Sequence, residues 1–317
     1  MTKENPSRRS LRDVVIGTDF SRESENALEW ALIFARAHKA VVHVVHAARR
    51  NLPFVEQLED FSALIEVSTH TEEKLLEEWV RAVRSPDQPI ECHLIHDRPS
   101  GAILQVAEHC KSGLIVVGTR GEGGFRHLRL GSTTERVAQR ATCPVLTVSP
   151  ECQPVNRWPN EILAATDFSL EADAAIRSAE DILRLGAEAT EFMLLTVLHK
   201  PEGQVGDPDF NTMWWSYVKE CRKLLVERVD SLRATVDSDN LSTQVLIREG
   251  IPAEQIIRAA LDEDIDLIVL GSRGAYATDR ALLGSVSKRV IQTAPCPTLV
   301  VPSLLSQRSR AGFTSLP

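Results

Sequence analysis

Two glycine loops and two aspartates are the parts of this 317-residue chain best suited to chemistry. The loops share the spacing G-x-x-G-x(9)-G-S, first as Gly118, Gly121, Gly131 and Ser132, then as Gly271, Gly274, Gly284 and Ser285. Glycine permits a tight backbone path and close approach to phosphate oxygens. The final glycine and serine of each loop precede a helical pattern, TTERVAQR in one case and VSKRVIQT in the other. The first N–H groups of a helix, with a serine hydroxyl beside them, form a natural anion site. Plain chain reversal by the glycines and helix capping by the serines is the alternative reading. Asp19 and Asp167 lie in VVIGTDFS and ILAATDFS, just past β-branched or apolar runs. A carboxylate does not attract a bare phosphate, so its ligand partners would be adenosine hydroxyls or a bridging Mg²⁺. The competing role is a turn or helix cap.

Other chemistries find less support. The loops lack GxxxxGK[ST], so no lysine is placed to reach a terminal phosphate, and they follow a late strand where a dinucleotide fingerprint would follow the first. Ser21 has no evident His/Asp arrangement, and no G-x-S-x-G elbow occurs. No catalytic residue is assigned; the most that is expected is a weak Mg-dependent ATPase. His43, His46 and His96 lie on or near strand patterns and read as packing or edge residues, so no metal ligand is assigned. The six cysteines are scattered without a CxxC pair, which favours reduced thiols; Cys143 and Cys296, each before a proline, read as packing.

The elements that must position these residues come twice. VVGTRGEGG, LGSTTERV and ATCPVLTV are answered by VLGSRGAYA, LGSVSKRV and APCPTLV. The aspartates are offset by 148 residues and the loop glycines by 153, so a short insertion reconciles the copies and the whole domain reads as duplicated. We place the domains at 11–150 and 160–302, with the proline-rich Glu151 to Pro159 segment as linker. In each copy, strand patterns alternate with helical ones. Strands are expected at Val14 to Thr18, Val41 to His46, Glu91 to Ile95, Leu114 to Val117 and Val145 to Val148. In the second copy they recur at Thr243 to Ile247, Leu267 to Leu270 and Thr298 to Val301. Ala27, Leu28, Ala31, Leu32 and Ala35 form one face of a helix from Glu23 to His38, and a long helix in each copy carries Trp79 or Trp214 and Trp215 as core or domain-interface packing residues. Strands apolar throughout, such as LIVV and LIVL, suit a parallel sheet covered on both faces, so each half is expected to be a three-layer α/β/α unit. Ligands of such sheets bind beyond the carboxyl ends of the strands, where both the aspartates and the glycine loops fall.

Composition bounds the setting. At 43% hydrophobic and 25% charged residues the chain can fill a core in each half. A formal net charge of −8 opposes a broad basic face, so nucleic acid is not expected as a partner. No run reaches the roughly 20 apolar residues of a membrane span, and no signal-peptide core follows Met1 to Ser10, so we expect a cytoplasmic protein without membrane insertion.

TDFS after the first strand, G-x-x-G-x(9)-G-[ST], and the closing GSVSKRVIQTAPCPTLV together resemble the universal stress protein family in its tandem form, over roughly Arg12 to Val301. The resemblance implies, for each half, a five-stranded parallel sheet of order 3-2-1-4-5 flanked by helices. Many members with this glycine pattern bind ATP, and members lacking it do not. Carried over by position, the implied cofactor-binding residues are Asp19, Ala47, Gly118, Gly121, Gly131, Ser132, Thr133 and Thr134. In the second half they are Asp167, Val197, Gly271, Gly274, Gly284, Ser285, Val286 and Ser287. Ala47 and Val197 would lie against adenine. The first copy reads S-T-T where S-V-S is usual, and its loop is the more basic, with Arg120, Arg126, His127 and Arg129 against Arg273, Asp279 and Arg280. The implied cofactor is ATP, with ADP or AMP as alternatives and Mg²⁺ as a companion ion. The implied role is a stress-response regulator whose nucleotide state modulates protein interactions. A nucleotide-free interaction module and a weak ATP hydrolase are the alternatives. The resemblance also implies an intramolecular pairing of the two domains through their last strands, with a homodimer and a regulatory protein as further partners.

Overall fold

The computed structural model describes residues 11–48, 62–83, 88–120, 130–152, 157–184, 190–201, 208–236, 238–275 and 282–302. The chain divides into two compact units, Met1–Arg157 and Trp158–Pro317.

The first unit contains β1 (Asp13–Thr18), α1 (Arg22–His38), β2 (Val41–Ala47), α2 (Ser62–Val83), β3 (Ile90–Ile95), α3 (Pro99–His109), β4 (Leu114–Gly118), α4 (Ser132–Arg140) and β5 (Val145–Val148). Its strands lie in the order β3-β2-β1-β4-β5, and each of these pairings is parallel. The central strands are buried on both faces, as their unbroken apolar runs require, whereas the outermost strand β3 is partly exposed along its length. Val15, Val45, Ile115, Val117 and Val145 project from one face into a core closed by Ala102, Ile103 and Val106 of α3 and Val137 of α4. α1 packs on β1, β4 and β5 with Ala27, Leu28, Ala31, Leu32 and Ala35 buried, the face that its three- and four-residue spacing predicts.

The second unit repeats the plan with β6 (Glu161–Ala165), α5 (Leu170–Leu183), β7 (Thr190–Leu198), α6 (Pro208–Val236), β8 (Leu241–Glu249), α7 (Pro252–Asp262), β9 (Leu267–Gly271), α8 (Ser285–Thr293) and β10 (Thr298–Val301). Its parallel strands are ordered β8-β7-β6-β9-β10. The 29-residue α6 extends beyond the Met213 to Leu232 stripe. Trp214 is buried against Leu198 and Cys221, but Trp215 is 64% exposed, so its placement in the core is corrected: adjacent helical positions point about 100° apart and cannot both face the sheet.

Candidate functional site

The T-D-F-S sequence turns each first strand into the following helix by a chain of local hydrogen bonds. The Phe20 N–H donates to Thr18 Oγ1 at 3.0 Å, the Ser21 N–H to Asp19 Oδ1 at 3.2 Å, and the Ser24 N–H to the N-cap Ser21 Oγ at 3.3 Å. The second unit repeats them, from Phe168 N–H to Thr166 Oγ1 at 3.0 Å, Ser169 N–H to Asp167 Oδ1 at 3.1 Å, and Ala172 N–H to Ser169 Oγ at 3.2 Å. Each phenylalanine takes a left-handed conformation, φ 64° at Phe20 and 63° at Phe168, which costs a non-glycine residue about 1–2 kcal/mol. Aromatic packing offsets that cost. The Phe20 ring lies 4.3 Å from His46 and 6.1 Å from Trp79, centroid to centroid, and Phe168 packs in the Leu198, Trp214 and Cys221 cluster with the Arg228 guanidinium 5.1 Å from its ring.

The turn leaves the second carboxylate oxygen of each aspartate for other work. In the second unit it is directed to the glycine loop: Asp167 Oδ2 accepts the Ala275 N–H at 2.7 Å. A methyl group added at Gly274 would stand 2.5 Å from that same oxygen, so the absence of a side chain there lets loop and carboxylate meet. Asp167 thus secures the turn into α5 and the glycine loop at once.

Gly118 and Gly271 end β4 and β9 under the first turns of α1 and α5. An added Cβ would lie 3.4 Å from the Glu23 carbonyl oxygen in one unit and 3.1 Å from that of Glu171 in the other. The neighbouring residues close the loop base: Thr119 O accepts from the Gly131 N–H at 2.9 Å, and Ser272 O from the Gly284 N–H at 2.9 Å. Gly131 and Gly284 are the N-cap residues of α4 and α8, and no side chain caps either helix. Ser132 and Ser285 are exposed, and Thr133 and Val286 half-buried, at these open helix starts.

Thr134 and Ser287 are placed differently. Both are buried, and their hydroxyls donate to the carbonyls of Gly118, at 2.5 Å, and Gly271, at 2.8 Å. Each thereby fastens a helix start to a strand end, with its hydroxyl hydrogen already engaged. Ala47 is buried with Val15, Val45 and Ile103, while Val197 is half-buried. The residue before each ties the second strand to the aspartate turn: His46 Nδ1 lies 2.9 Å from Thr18 O, and Thr196 Oγ1 donates to Thr166 O at 2.9 Å. Sequence spacing does not single out Thr18, Thr166 or Thr196, although the threonine repeated in T-D-F-S signals the first two. Arg120 pairs with Glu151 at 3.2 Å. Gly121, Arg126, His127, Arg129, Asp279 and Arg280 lie outside the described residues.

Among the described residues, no helix is long and apolar enough to cross a membrane. The chain is 24% identical over 295 residues to a universal stress protein of Mycolicibacterium smegmatis, covering 91% of this chain and 96% of that protein. It is 37% identical over 145 residues to one of Thermus aquaticus, covering 44% of this chain and 96% of the relative. The crystal structure of a universal stress protein from Archaeoglobus fulgidus superposes with a TM-score of 0.64 at 21% identity, covering 92% of this chain and 99% of that one, a likeness of fold. The model of the universal stress protein family matches residues 10–149 and again 160–302, so the chain belongs to that family and carries two of its domains in tandem.

Proposed function

We propose that this protein is a cytosolic nucleotide-dependent regulator of the stress response, binding ATP, or ADP or AMP in its place, at the carboxyl ends of its strands. The observation that carries this reading is the meeting of the Asp167 carboxylate with the glycine loop at Ala275, beside a helix whose start no side chain caps. Helix-terminal N–H groups favour phosphate, and the aspartate suits ribose hydroxyls or a bridging Mg²⁺. In the first unit the corresponding residues are Asp19, Gly118, Gly131, Ser132 and Thr133; in the second they are Asp167, Gly271, Gly274, Gly284, Ser285 and Val286. Thr134 and Ser287 hold the helix in place beneath the ligand, and Ala47 and Val197 border the adenine side. Nucleotide occupancy would act by changing the surface offered to a regulatory protein partner.

A nucleotide-free interaction module is the second reading, and one observation favours it: the Asp167 carboxylate and the Ser287 hydroxyl are already satisfied within the protein. Calorimetric titration of stringently stripped protein with ATP and ADP, in the presence and absence of Mg²⁺, separates the two. Binding at cellular nucleotide concentrations, diminished by Asp19→Ala and by Asp167→Ala, is the expected result. Absence of binding to the wild-type protein establishes the nucleotide-free module instead.

A further inference from the structure

The opposite end of the first unit's sheet gathers a second set of chemically capable side chains. Asp13 opens β1 and Asp19 follows its last residue, so the two ends lie about 20 Å apart at ~3.3 Å per residue. Val15 is registered with His43, His43 with Glu91, and Val45 with His93. Side chains alternate along a strand, so Asp13, His43, Glu91 and His93 share one face. His43 Nδ1 lies 3.0 Å from His93 Nε2 and 3.4 Å from Glu91 Oε2, and the remaining separation, His93 Nε2 to Glu91 Oε2, is 4.0 Å. Ligand atoms around a tetrahedral zinc ion at 2.0–2.1 Å stand about 3.3 Å from one another. The three atoms are therefore spaced closely enough to converge on one ion.

The other nitrogen of the His43 ring supplies an independent observation. His43 Nε2 lies 3.0 Å from Asp13 Oδ1, and His43 is 6% exposed. In the neutral imidazole, a carboxylate acceptor fixes the hydrogen on Nε2 and leaves the Nδ1 lone pair facing His93 and Glu91. This carboxylate–imidazole order is the arrangement that orients histidines toward metals. With that tautomer at His43, a hydrogen on His93 Nε2 can donate to His43 Nδ1 across the 3.0 Å between them.

The fold itself does not demand these residues. The second unit builds the same sheet with Met193, Gln244 and Leu246 at the equivalent registered positions. We propose that Asp13, His43, Glu91 and His93 form a site for one divalent ion of the zinc class in the first unit only. His43 Nδ1, His93 Nε2 and Glu91 Oε2 are the ligands, and Asp13 is the positioning residue. Two neutral imidazoles and one carboxylate suit zinc over magnesium or calcium, which take oxygen donors.

The test uses the full chain, freed of metal with a chelator and kept without nucleotide, titrated calorimetrically with ZnCl₂ and spectroscopically with CoCl₂. Wild-type protein should take up zinc with at least micromolar affinity, and Co²⁺ should give the visible bands of a four- or five-coordinate ion. His93→Gln, at a partly exposed position, and Glu91→Gln, at an exposed one, should each weaken zinc binding at least tenfold and abolish or shift those bands. Asp13→Asn should weaken it 10–100-fold while retaining the ligands. Circular dichroism and urea unfolding of each variant establish that it is folded. Cys92→Ser, on the opposite face of β3, should leave the affinity unchanged. No zinc uptake by the wild type at micromolar metal, or undiminished affinity in His93→Gln, overturns the proposal. Either result is independent of whether the glycine-loop end of the unit binds nucleotide.

Discussion

Asp167 Oδ2 and the Ala275 N–H are joined at 2.7 Å, so a residue following the first strand of the second unit holds the loop that follows its fourth. The other oxygen of the same carboxylate secures the turn into α5 through the Ser169 N–H. One side chain therefore couples the loop's position to the helix start. Asp167→Ala should lower the nucleotide affinity of the second unit about tenfold, a loss of ~1.4 kcal/mol, and leave the first unit's affinity unchanged. Calorimetry in the Asp19→Ala background isolates the second site, and an unchanged affinity there would remove Asp167 from the binding set.

Two glycines of the same loop should separate stability from binding. At Gly271 an added methyl meets backbone, with Glu171 C and O and Arg273 O all at 3.1 Å. Backbone there yields only by shifting β9 against α5, so Gly271→Ala should lower stability by about 1–3 kcal/mol. At Gly274 the methyl meets the tip of the Asp167 side chain, which can swing aside. Gly274→Ala should leave the urea midpoint nearly unchanged while weakening nucleotide binding. Equal stability losses in the two variants would contradict this distinction.

Thr134→Val removes the buried hydroxyl that donates to Gly118 O and puts a methyl in its place. An unpaired buried carbonyl costs about 1–3 kcal/mol, so chemical unfolding should show a loss of that order. Thr134→Ser keeps the donor and should recover most of it. If Thr134→Val instead retained full stability and lost nucleotide affinity, the hydroxyl would belong to the ligand and not to the helix anchor.

His38, near the C-terminus of α1, has its pKa pushed down to about 4 by burial, from an ordinary 6.5. The unfolded chain therefore takes up this proton before the folded one. The associated stability is complete above pH 6.5, is lost progressively as pH falls toward 4, and changes no further below that. Allowing for partial exposure, the loss should be on the order of 2 kcal/mol. Urea unfolding across this pH range should show a smaller decline for His38→Gln than for wild-type protein; parallel curves would assign the pH dependence to other groups.

The sequence alone determined the architecture because the relevant signals are local and duplicated. Buried parallel strands read as unbroken apolar runs, α1 shows its buried face in the spacing of five small or apolar residues, and both copies repeat T-D-F-S and the glycine spacing. The turn role of Asp19 and Asp167 was legible for the same reason, since an aspartate reaches an N–H only two residues away.

What only the tertiary structure decided depends on residues far apart in the chain. Nothing in their local sequence shows that Asp167 meets Ala275, 108 positions later, or that Thr134 and Ser287 turn their hydroxyls inward to strand-end carbonyls and away from the open helix start. The grouping of His43 with Asp13, Glu91 and His93 is set by strand register, with His43 and His93 separated by 50 positions. His43 taken singly reads as an edge or packing residue. A linear pattern records which face a side chain takes, whereas parallel pairing across helical crossovers chooses its neighbours on that face.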